Sequence, residues 1–70
     1  MLHEHDVVAL NKALPGIAVP VRSQGTIVHV HDAQAQAYIV EFVDEYHKTI
    51  DMVDVVGDEY LELIWEYKEK

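Results

Sequence analysis

The stretch that most restricts the fold is Gly25-Thr26-Ile27-Val28-His29-Val30-His31, followed after a polar gap by Tyr38-Ile39-Val40-Glu41-Phe42-Val43. Its β-branched and aromatic residues suit a half-buried pleated surface and lose rotamer freedom in a helix. The pair of runs predicts the central hairpin of a small antiparallel barrel. In the first run Thr26, Val28 and Val30 share one face, and Ile27, His29 and His31 the other. In the second, Tyr38, Val40 and Phe42 are expected in the core, facing Val28 and Val30. Asp32 to Ala37 has little β-propensity and is expected to be a hairpin loop or frayed strand end, with a short helical turn as the alternative. Gly25 is expected to supply a positive φ or a bulge.

The flanking segments extend this pattern. Val7-Val8-Ala9-Leu10, after Asp6, predicts a first strand. Leu14-Pro15-Gly16 is a turn, with Leu14 plugging the barrel. Ile17 to Arg22 is apolar, but Pro20 cannot donate to a ladder, so this segment is an edge strand or extended loop. Asp44 to Lys48 is a charged turn. Thr49 to Val56 is a fourth strand in which Ile50, Met52, Val53 and Val55 compete for the core. The tail from Gly57 fits two templates. Asp58 as N-cap, acids in the first turn and lysines at the end favour a helix. The alternation of Leu61, Leu63, Trp65 and Tyr67 suits a strand closing the barrel. The caps tip the expectation slightly towards the helix.

Asp6-Val7-Val8, Leu14-Pro15, Gly25-Thr26-Ile27-Val28, Tyr38-Ile39-Val40-Glu41-Phe42 and Thr49-Ile50 together resemble a family of short bacterial proteins, the domain of unknown function DUF4926. The resemblance covers roughly residues 5 to 56 and implies an SH3-like barrel. The expected fold is therefore all-β, or β with one short helix: four to five antiparallel strands and a C-terminal helix or closing strand. Residues 1–70 make one domain, with the barrel over about 5–56 and a tail over 57–70. Two features depart from the family pattern. Arg22-Ser23-Gln24-Gly25 replaces its Gly-Asp tight turn, and the tail is longer and more aromatic. The resemblance brings no catalytic residues.

Composition excludes several classes. A 70-residue chain without cysteine has no disulfide or thiolate metal site to support its core. What is left to support it is a well-packed core, a histidine-bound metal or a partner subunit. Hydrophobic residues make up 50%, too many for a disordered chain. Thirteen acids against five bases leave a net charge of −8. Such a chain repels a nucleic-acid backbone or an anionic membrane and suits a basic protein partner. No apolar run reaches the roughly 20 residues that span a bilayer, and the N-terminus lacks signal-peptide features. The expected location is the cytoplasm.

Two groups of residues are candidates for a site. His3 and His5, and His29 and His31, sit at strand spacing, so each pair could present two imidazoles on one face to zinc, copper or nickel. The plainer view is that all four are solvent-facing. Tyr60, Leu63, Ile64, Trp65 and Tyr67 form the densest aromatic patch, of a type enriched at interfaces, though the tail could simply pack on its own barrel. Glu41, Asp44, Asp51 and Asp54 lack a neighbouring nucleophile. No nucleophile elbow, phosphate loop or dinucleotide fingerprint is present. The expectation is a protein that is not an enzyme and carries no cofactor. It would act as an interaction module, self-associating through its tail as a homodimer. The alternatives are an acidic antitoxin, immunity or inhibitor-type protein neutralising a basic partner, and a small accessory or metal-handling subunit using the four histidines.

Overall fold

The computed structural model describes residues 2–68. Its strands are β1 (Val7–Leu10), β2 (Gln24–Asp32), β3 (Ala37–Val43), β4 (Thr49–Val56) and β5 (Leu61–Trp65), with a 3-10 turn over Asp58–Tyr60. Every pairing is antiparallel, and the sheet order is β4-β3-β2-β1-β5. This single open all-β sheet is compatible with the small SH3-like barrel that the sequence predicts. No helix among the described residues is long and apolar enough to cross a membrane.

The core is built where the inward positions of all five strands meet. Val8, Leu10, Ile27, Tyr38, Val40, Phe42 and Val55 are fully buried, and Leu2, Val19, Val53 and Leu61 complete the cluster. Leu14 and Ile17, from the long β1–β2 loop, pack partly against it. The segment containing Pro20 is loop rather than strand.

Two open alternatives, the tail and the core face of β4, are settled, and one expectation, the face of β2, is corrected. The tail is not a helix: its only helical residues are the 3-10 turn. Leu61–Trp65 pairs with β1, because β1 would otherwise leave one row of backbone donors and acceptors unpaired at a buried position. In β2, Ile27 is buried and Val28 only partly so, the reverse of the predicted phase. A bulge is the cause. Ile27 pairs with Val40 and His29 with Ile39, so Val28 is the extra residue. The bulge puts Ile27 and Val30 on the core side together, with Val30 opposite Tyr38. In β4, Val53 and Val55 win the core because they pair with the inward Val40 and Tyr38. Ile50 and Met52 are exposed.

Gly25 also differs from expectation. It does not hold a positive φ; it permits a close approach. A Cβ there would lie 2.8 Å from Val40 Cγ1 and 2.9 Å from both the Glu41 carbonyl oxygen and Phe42 Cδ1. The Phe42 ring lies across the space that a side chain would occupy. Gly25→Ala is expected to cost about 1–3 kcal/mol through overpacking, measured by urea unfolding. An unchanged midpoint would show that β2 and β3 can separate at no cost.

Candidate functional site

β1 is the shortest of the inner strands, and the residues before it are tied down by a buried carboxylate. Asp6 is fully buried. Its Oδ2 accepts the His3 backbone N–H at 2.8 Å and its Oδ1 accepts the Tyr67 backbone N–H at 3.0 Å. One side chain thus fastens the N-terminal turn to the strand end 61 positions away. Asp6→Asn replaces one acceptor oxygen with a donor facing an N–H. The expected cost is about 1–3 kcal/mol, with faster proteolysis after residue 65.

That latch positions an aromatic surface. Tyr67 meets the His5 ring edge-on at 5.1 Å and the Trp65 ring at 6.0 Å. Leu63, Ile64 and Trp65 of β5, and Tyr67 two residues beyond it, are 42%, 48%, 55% and 45% exposed. Tyr60 separates from this group. It is half-buried against the core, with Lys12 Nζ 6.0 Å above its ring. The β5 edge is blunted for strand addition. Val7 pairs with Trp65 and Val8 with Leu63, which leaves Ile64 as a bulged residue, and the strand is five residues long. The patch therefore offers side chains rather than a free ladder.

The four histidines lie at two ends of the sheet's surface. His3 Nδ1 is 3.9 Å from Asp6 Oδ2, and His5 packs on Tyr67. His29 and His31 meet edge-on at 5.0 Å, and His31 Nε2 lies 3.6 Å from Asp54 Oδ1. Among the described residues no three histidine or carboxylate groups are placed to hold a metal ion. The remaining candidate acids have structural partners. Glu41 Oε2 accepts the Thr49 hydroxyl, Asp44 Oδ1 accepts the Tyr46 and Lys48 N–H groups, and Asp51 Oδ1 accepts the Met52 N–H.

The hairpin and the tail are joined through Tyr38. Its buried hydroxyl donates to Asp58 Oδ1 at 2.6 Å, and Gln36 accepts the Gly57 and Asp58 N–H groups. Burial first, then the Asp58 carboxylate, push the Tyr38 phenol from 10.0 up to about 12. The folded chain holds this proton more tightly than the unfolded chain. The stabilisation is therefore complete below pH 10 and disappears as the pH rises through about 12. Two pH units correspond to about 2–3 kcal/mol. Alkaline unfolding followed by circular dichroism is expected to show a loss of this size between those pH values, absent in Tyr38→Phe.

Sequence reasoning missed a cleft between the turn that enters β2 and the β3–β4 turn. It has a volume of about 470 Å³ and is lined by Arg22, Ser23, Gln24, Val43, Glu45 and His47 among others. Arg22 and His47 both have left-handed backbones, with φ of 80° and 64°. At Arg22 the Ser23 N–H donates to the Pro20 carbonyl, closing a turn whose third residue is ordinarily glycine. Holding a side chain there costs about 1–2 kcal/mol. The run Arg22-Ser23-Gln24-Gly25, where the resemblance led to a Gly-Asp turn being expected, was the signal that could have found it.

No curated protein and no solved structure matches the chain. A family model described as a domain of unknown function, DUF4926, matches residues 4–61, and the chain belongs to that family.

Proposed function

We propose that the chain is a non-catalytic interaction module that pairs with a second copy of itself through Leu63, Ile64, Trp65 and Tyr67. The observation that carries this is a set of four large apolar or aromatic side chains, each roughly half exposed, on the outermost strand and the residues just after it, with the Trp65 and Tyr67 rings 6.0 Å apart. Exposed clusters of this kind favour association, and tryptophan and tyrosine contribute most at the centre of a contact. A two-fold contact also offsets like charge. Glu62 and Glu66 flank the patch, and Lys68 follows them on the same segment, so an antiparallel approach brings Lys68 of one copy towards an acid of the other. The bulge at Ile64 makes this a side-chain contact rather than a continued sheet.

A second interpretation rests on the net charge of −8, which suits an acidic partner protein that neutralises a basic one. The two differ in salt response. Apolar self-association persists at high ionic strength, whereas a charge-driven complex weakens as the Debye length shrinks.

Trp65→Ala separates fold from contact. The ring is 55% exposed, so the substitution is expected to cost less than about 1 kcal/mol of stability. Sedimentation equilibrium is expected to give a dimer mass for the parent, retained in high salt, and a monomer mass for the variant. A monomeric parent, or a dimeric variant, would reject the proposal.

A further inference from the structure

We propose that the cleft between Pro20–Gln24 and the β3–β4 turn binds a carboxylate carried on a short apolar stem, with Arg22 as its anchor. The site is separate from the β5 patch and does not depend on that contact.

Three observations support it. Arg22 is the only arginine in the chain, and it lines the cleft. No carboxylate among the described residues lies within ion-pair distance of its guanidinium, although Asp44 and Glu45 line the same space. Asp44 is already engaged, its Oδ1 accepting two backbone N–H groups of its own turn. The guanidinium therefore retains an open fork of donors, which matches a carboxylate in two parallel bonds.

The position of Arg22 is the second observation. Its φ of 80° is one that glycine adopts freely and an arginine does not. His47, across the cleft, is held at a φ of 64°. Strained backbone of this kind gathers where a side chain is needed in a set place, and two such residues line one cavity here.

The walls define the rest of the ligand. Val21 and Val43 line the cleft, and an adjoining hollow of about 200 Å³ adds Val7. Ser23, Gln24 and His47 supply further hydrogen-bonding groups. Glu45 and the overall charge of −8 penalise a dianion, which disfavours phosphate esters and selects a monoanion with an apolar stem. A free short-chain carboxylate and the C-terminal residue of a peptide both present that chemistry.

Titration of ¹⁵N-labelled protein distinguishes the sources. The probes are hexanoate, a peptide ending in leucine with a free carboxylate, and the same peptide as its C-terminal amide. The expected result is saturable shifts of the Arg22, Ser23, Gln24 and His47 amides with a free carboxylate and none with the amide. Saturation by hexanoate alone assigns a small-molecule ligand, and saturation by the peptide alone a chain terminus. Inorganic phosphate is expected to bind at least tenfold more weakly. Arg22→Gly relieves the backbone and should fold at least as stably as the parent, while binding at least tenfold more weakly. Arg22→Lys keeps the charge without the fork and should also bind more weakly. No saturable shift with either carboxylate, equal binding of the amide, or undiminished binding by Arg22→Gly would overturn the proposal.

Discussion

The last strand joins the rest of the sheet only through β1, a four-residue strand between β2 and β5. β1 has few ladder bonds of its own, and the buried Asp6 carboxylate supplements them from one end. A buried carboxylate is costly unless donors surround it, and here two backbone N–H groups from opposite ends of the chain do so. His5 and Asp6 also exchange backbone hydrogen bonds with Ile27, at 2.7 and 3.0 Å, extending the pairing beyond the strand. The Asp6-Val7-Val8 motif is thus a tie followed by a core strand, and its acid is structural.

A second tie works at the other end of the tail. Tyr38, buried on β3, holds Asp58, and Gln36 at the hairpin tip holds Gly57 and Asp58. The segment between these two ties, Leu61 to Tyr67, is fixed at both ends; Leu61 is buried in the core and the side chains from Leu63 to Tyr67 are left exposed. An apolar surface on a rigid frame loses little conformational entropy on association. That frame underlies the interaction proposed for the patch.

The cleft beside Arg22 follows a different logic. The β5 patch exposes apolar area on a relaxed strand, whereas the cleft places polar groups on strained turns. The two surfaces use different residues and different chemistry. The second became visible only at the run Arg22-Ser23-Gln24-Gly25, where the resemblance led to a Gly-Asp turn being expected.

The hairpin and its core face were legible in the sequence. Tyr38, Val40 and Phe42 point inward as alternation requires, because β3 itself carries no extra residue and pairs with β4 without a break until its last residue. The all-β class and the family pattern followed from the same local periodicity. What alternation could not reveal was each place where two strands fall out of step. The bulge at Val28 put Ile27, rather than Val28, on the core side together with Val30, and a skipped residue at Ile50 accompanies the burial of Val53 and Val55. The tail was undecidable locally, since its caps favour a helix and its aromatics a strand. The unpaired edge of β1 and the buried acceptor of Asp6 decided it, and both are long-range contacts. Local propensity is written residue by residue, but strand register, the exposure of Trp65 and the meeting of Arg22 with His47 arise from pairings between distant segments, which only the tertiary structure supplies.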